Sequence, residues 1–150
     1  RDNHFNGVGT IVETLFRLIK PKRAYFGEKD FQQLRIIQKL VEIEKIPVEI
    51  IGCKIVREKH GLAMSSRNER LSDTIRLNAK HKFGMESPLI IKDWVAEQFK
   101  NNIDFKLEYF EITDVETLTP INKKNLNIKY RAFIAVYVEG VRLIDNIALN

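Results

Sequence analysis

Ala24-Tyr25-Phe26-Gly27-Glu28-Lys29-Asp30-Phe31-Gln32-Gln33 is the stretch that decides the fold. Three apolar residues stopped by a glycine read as a short buried strand. Asp30 followed by Gln33 has the form of a capping box, the aspartate accepting from the backbone at N3 and the glutamine reaching back. A helix is therefore expected from Phe31 to about Lys45, burying Leu34, Ile37, Leu40 and Val41. Pro47 follows, and Val48-Glu49-Ile50-Ile51 supplies another strand. Strand, helix and strand within about 30 residues make a βαβ unit with a parallel pair. The first part of the chain is α/β.

Working outward, Val8, Ile11, Val12, Leu15 and Ile19 recur at helical spacing, and Phe16 and Leu18 widen the stripe. Glu13 and Arg17 form an outward i,i+4 pair, and Pro21 ends that helix. Downstream, Cys53 lies in the apolar run IIGCKIV and is expected to be a small buried hydrophobe. Beyond Leu71 the texture changes. Ser72 to Lys82 is polar with weak helical periodicity, and His81-Lys82-Phe83-Gly84 reads as a break. Ser87-Pro88 is a good N-cap and N1 pair for a helix burying Ile91, Trp94, Val95 and Phe99. Leu107 to Ile112 reads as a strand, Thr119-Pro120 as a turn, and Ala132 to Val138 with Val141 to Asp145 as a hairpin around Glu139-Gly140. The second part is a small α+β unit with antiparallel strands. The domains expected are 1–55 and 56–150.

With 150 residues the chain suffices for one ordinary domain or two small ones, and 44% hydrophobic with 30% charged residues is a globular composition. A net charge of +5 permits an anionic partner, but the charges are interspersed and no basic run carries aromatics, so nucleic acid is not favoured. One cysteine forms no internal disulfide, which fits a reducing, cytoplasmic compartment. No apolar stretch approaches membrane-spanning length, and no membrane partner is expected. The chain begins at Arg1 on a polar, loop-like segment without an initiator Met, so a fragment of a longer protein is expected.

Two clusters carry chemistry. Gly27 ends a parallel strand, where ligands of open α/β sheets bind, and lacks a Cβ that would keep a ligand away from the backbone. Lys29 offers a compact charge suited to a phosphoryl oxygen. Asp30 suits ribose hydroxyls or the cap of the following helix, and Gln33 suits a ligand in the same cleft or the reciprocal cap. Val56 to Leu71, VREKHGLAMSSRNERL, holds the second cluster. There Ser65, Ser66 and Arg67 place two rotatable hydroxyls and a fork-shaped guanidinium in succession after Gly61, donors matched to phosphate oxygens. The alternative is a polar surface turn. Together the clusters are expected to form two sides of a triphosphate clamp at the domain junction.

These residues also carry a resemblance. Arg1-Asp2-Asn3-His4-Phe5-Asn6-Gly7-Val8, Ala24 through Leu34, and Val56 through Asn68 resemble consecutive motifs of the pantoate–β-alanine ligase family, the pantothenate synthetases. Tyr109-Phe110-Glu111-Ile112 and Arg142-Leu143-Ile144-Asp145-Asn146-Ile147 resemble its C-terminal domain. The resemblance implies the C-terminal part of a Rossmann-like nucleotidyltransferase core followed by an α+β lid domain. It implies ATP-dependent condensation of pantoate with β-alanine through a pantoyl adenylate, yielding pantothenate, AMP and pyrophosphate. It also implies a homodimer in the full-length protein.

By the same resemblance Gly27, Glu28, Lys29 and Asp30 hold ATP, with Lys29 on phosphate and Asp30 on ribose, and Gln33 binds pantoate. Val56 meets adenine through its backbone, Met64, Ser65, Ser66 and Arg67 form the phosphate-binding loop, and Lys29, Ser65, Ser66 and Arg67 serve the chemistry. The family's H-x-G-H signature is absent, since His4, His60 and His81 do not form it, and Leu71 to Leu107 is shorter than usual. The chain is thus expected to be inactive alone, with Mg2+ ligands mainly outside it. Alternatives are an ATP-binding domain without catalysis, or a related adenylate-forming nucleotidyltransferase with another acceptor.

Overall fold

The computed structural model describes residues 4–59, 63–64, 73–100 and 105–150, with 73–77 described by their backbone alone. Its elements are α1 (His4–Ile19), β1 (Arg23–Gly27), a 3-10 turn (Glu28–Asp30), α2 (Phe31–Ile43), β2 (Glu49–Cys53), α3 (Asp73–Met85), α4 (Pro88–Lys100), β3 (Phe105–Asp114), β4 (Tyr130–Val138) and β5 (Val141–Ala148). Two compact units divide the chain, Arg1–Ile55 and Val56–Asn150.

In the first unit β1 and β2 pair in parallel, with register from Arg23↔Glu49 to Gly27↔Cys53. Parallel neighbours cannot be joined by a tight turn, and α2 supplies the crossover that the periodicity predicted. Phe31, Leu34 and Ile37 are buried on α2, and Leu40 and Val41 half-buried. Ile37 meets Phe16, Ile46 and Val48 in the core, with Phe16 edge-on to Phe26 at 6.4 Å.

The wide apolar stripe of α1 is only partly covered. Phe16 is buried and Val8 and Val12 pack beside it, whereas Ile11, Leu15, Leu18 and Ile19 are exposed. Arg17, bonded to Glu13 at 2.7 Å, also reaches Glu44 beyond α2 at 3.0 Å, so the Phe16 side faces inward. Periodicity marks a face without saying how much of it a partner element covers. Cys53 corrects another expectation: it is exposed, because the five-residue β2 ends at it instead of carrying it through the core.

The second unit is an antiparallel meander in the order β3-β4-β5, with α3 and α4 contributing to its core. Ala79 and Phe83 from α3 join Ile91, Val95 and Phe99 from α4 against Ile112, Val136 and Leu143 of the sheet. Fully burying an aliphatic side chain such as Ile91 contributes about 1.5–3 kcal/mol. No break interrupts α3 at His81 to Gly84, contrary to the sequence expectation. Phe83 is buried edge-on against Tyr130 at 5.5 Å, and such packing outweighs the roughly 1 kcal/mol helix penalty of Gly84.

Pro88 opens α4 as expected, with Ser87 Oγ accepting from the Ile90 N–H at 3.4 Å. Trp94 is only half-buried. The hairpin closes at Val138↔Val141, leaving Glu139 (φ 49°) and Gly140 (φ 78°) in the left-handed pair of a type I′ turn. Among the described residues no helix is long and apolar enough to cross a membrane.

Gly52 tests the packing of the first unit. A Cβ there would lie 3.1 Å from Leu34 Cδ2 and 3.6 Å from Glu28 Cγ. Leu34 is itself buried and has little room to yield. Gly52→Val is expected to cost about 1–3 kcal/mol by overpacking, read as a lower urea midpoint with unchanged slope. An unchanged midpoint would show that Leu34 moves aside freely.

Candidate functional site

The parallel register brings the ends of β1 and β2 level, so Gly27 and Cys53 lie side by side at the carboxyl edge of the pair. This is the edge at which open α/β sheets take ligands. Gly27 has φ −70° and ψ 132°, an extended conformation open to any residue. Its backbone therefore does not demand glycine, and a Cβ would meet nothing within 4 Å. The missing side chain leaves open space beside the main chain.

Glu28, Lys29 and Asp30 turn out of the strand as one 3-10 turn leading directly into α2. Glu28 and Lys29 are half-buried and Asp30 is exposed. The capping box is not formed: Asp30 sits at the N-cap with φ −94° and ψ 57° and makes no side-chain capping bond. An N-cap needs its backbone in the extended region for the carboxylate to fold over N3, and the preceding turn holds Asp30 out of it. Of the two roles open to Asp30 in the sequence, the cap is thereby removed. Gln33, half-buried, follows in the first turn of α2, whose N-terminal amides add partial positive charge.

In the second unit, Val56 and Met64 are joined across a narrow neck. The Met64 N–H donates to Val56 O at 2.8 Å, and Arg57 and Ala63 form an antiparallel bridge beside it. Ala63 is fully buried, whereas the side chains of Val56 and Met64 are exposed. The Val56 carbonyl keeps a second lone pair for a ligand donor. Arg57, which lies in the motif from Val56 through Asn68 but with no role read from it, bonds Asp145 Oδ2 at 3.1 Å and Asn146 O at 2.9 Å. A separation of 88 residues explains why no local pattern revealed that pair. Ser65, Ser66 and Arg67 lie outside the described residues, and so does their predicted convergence with Lys29.

A hollow of about 310 Å³ in the first unit is lined by Phe16, Arg17, Lys20, Pro21 and residues 45–48. These residues precede β1 and β2, at the opposite edge from Gly27, and include no predicted site residue. Its cations have local explanations: Arg17 is paired with two glutamates, and Lys20 and Lys45 adopt the left-handed conformation that ends helices. No group of three His, Cys, Asp or Glu among the described residues is arranged to hold a metal ion.

The Pantoate-beta-alanine ligase family model matches residues 1–148. The pantothenate synthetase of Christiangramia forsetii is 58% identical over the whole chain, and that of Flavobacterium psychrophilum 54% identical. The chain covers 56% and 57% of those relatives, little more than half their length. The structure of pantothenate synthetase from Thermus thermophilus matches with a TM-score of 0.84 at 36% identity, over 99% of this chain and 57% of that one. A pantoate-beta-alanine ligase from Francisella tularensis, complexed with beta-gamma ATP and beta-alanine, matches with a TM-score of 0.63 at 31% identity, over 99% and 52%. The fold is the mixed α/β nucleotidyltransferase fold of these enzymes, with a small antiparallel three-stranded sheet.

Because Asp30 caps nothing, Asp30→Ala is expected to change unfolding free energy by less than about 0.5 kcal/mol, where a true cap would cost about 0.5–2 kcal/mol. Thermal unfolding of both proteins checks this, and a loss of cap size would restore the capping role.

Proposed function

The chain belongs to the pantoate-beta-alanine ligase family, and we propose that it supplies one part of an enzyme joining pantoate to β-alanine at the expense of ATP. One observation carries the assignment of residues. At the carboxyl edge of the parallel pair, an open Gly27 is followed by a lysine and by an aspartate that caps nothing. Gly27 and Glu28 would line the nucleotide, Lys29 would sit on its phosphates and Asp30 on its ribose hydroxyls. Gln33 would bond pantoate, the Val56 backbone would meet adenine, and Met64, Ser65, Ser66 and Arg67 would close on the phosphates.

The chemistry follows from the charges. A pantoate carboxylate oxygen attacks the α-phosphorus, and the bond to pyrophosphate breaks. The β-alanine amine then attacks the acyl carbon of the pantoyl adenylate, AMP leaves, and the amine gives up a proton. Negative charge crowds at phosphorus in the first step, where Lys29, Arg67 and the two serine hydroxyls offset it. Magnesium accompanies ATP in this proposal, with its ligands mainly outside this chain, since the described residues provide no cluster to hold it. A cytoplasmic location and a homodimeric full-length enzyme belong to the same proposal.

The chain covers little more than half of each of those relatives, and by itself it is expected to give little or no turnover. In the complete enzyme, Lys29→Ala is expected to lower kcat about 10²–10³-fold, followed as AMP and pantothenate formed from pantoate, β-alanine and MgATP. Wild-type rates in that variant would exclude the role given to Lys29. For the 150-residue chain, calorimetric titration with ATP should show saturable binding that weakens in Gly27→Val while thermal stability holds, since the added side chain enters open space. Undiminished affinity in Gly27→Val would place the nucleotide elsewhere.

A further inference from the structure

The side chain of Arg57 ties the neck between Val56 and Met64 to the sheet of the second unit. Arg57 stands between the two, its guanidinium spanning Asp145 Oδ1 and Oδ2 at 3.3 and 3.1 Å and Asn146 O at 2.9 Å. The carboxylate is almost wholly buried, with the Asp145 side chain 2% exposed against 26% for Arg57. Asp145 is itself held, since its Oδ1 accepts the Asn146 N–H at 2.7 Å, and Asn146 Oδ1 accepts from Arg131 of β4. A buried, multiply bonded carboxylate on a sheet is a rigid mount, and a planar guanidinium reads it in one orientation only. The mount therefore fixes Arg57, and the Arg57↔Ala63 bridge passes that constraint to both strands of the neck.

We propose that Arg57 is a positioning residue for the nucleotide segment: anchored on Asp145 and Asn146, it sets where the Val56 carbonyl and the Met64 backbone stand. This rests on the assignment of Val56 and Met64 to the nucleotide given above, and goes beyond it by naming what holds them. In this role Arg57 acts through the backbone it carries. Pre-orienting backbone groups before a ligand arrives raises affinity by removing the ordering cost from the binding step.

Amide hydrogen exchange followed by NMR in the 150-residue chain, paired with ATP titration, tests it. In the parent chain the Met64 amide, bonded to Val56 O, is expected to be protected. In Arg57→Gln and in the near-isosteric Asp145→Asn, Met64 exchange should quicken about tenfold or more while Ala135 and Val136 in the middle of β4 keep their protection. ATP should bind about tenfold more weakly in both, and Arg57→Lys should recover part of each effect because it restores charge without the fork.

Unchanged Met64 exchange in both variants would overturn the anchor. Quickened exchange with undiminished ATP affinity would overturn its bearing on the nucleotide. Protection lost throughout β4 and β5 in both variants would also overturn it, since Arg57 would then support the whole unit. If the parent chain binds no ATP, the same variants are titrated in the complete enzyme: undiminished affinity there overturns the bearing of Arg57 on the nucleotide, and absence of ATP binding by the complete enzyme overturns the nucleotide assignment instead.

Discussion

The parallel pairing of β1 with β2 is the constraint from which the first unit follows. Five matched residue pairs bring Gly27 and Cys53 level. Two strands running the same way need a crossover to connect them, and α2 provides it. Once α2 must start where β1 ends, the chain between them has only Glu28, Lys29 and Asp30 in which to turn. A turn that short winds into a 3-10 segment, displaces Asp30 from capping geometry and sets three polar residues at the strand's carboxyl edge. The chemistry proposed for those residues is a consequence of that geometry.

The second unit is organised by a different requirement, the burial of apolar side chains from two helices and an antiparallel meander. Its core is aliphatic and aromatic, with Ile91, Val95 and Ile112 fully enclosed. Against that background the charged group formed by Arg57, Asp145 and Arg131 with Asn146 stands apart. Removing charges from water is costly unless each finds partners, and here the carboxylate, amide and guanidinium groups bond one another. A well-packed apolar set would stabilise a sheet as well. What the ionic group adds is direction, because its bonds hold only in one orientation.

Much of this was legible in the sequence, for definite reasons. The βαβ unit appears because a period near 3.6 between two apolar runs has few other solutions. Ser87-Pro88 marks a helix start because each residue type suits one position there. Glu139-Gly140 marks a hairpin because two consecutive left-handed residues need glycine in at least one place. Other expectations failed where a residue's state depends on distant neighbours. Gly84 does not break α3 because Phe83 is packed against Tyr130, 47 residues later. Likewise Cys53 is exposed because β2 stops there, and Ile11, Leu15, Leu18 and Ile19 of α1 are exposed because no described element of this unit packs over them.

The sequence by itself therefore determined which residue types stand at the end of β1 and in the Val56 neck, and with them the family to which the chain belongs. Motif order and local periodicity are properties of the chain as written, and need no contacts to be read. Tertiary structure alone decided that Asp30 caps nothing, that Gly27 faces open space, and that Arg57 is fastened to Asp145. Each of these depends on how close two groups come in space, a distance that separation along the chain does not contain.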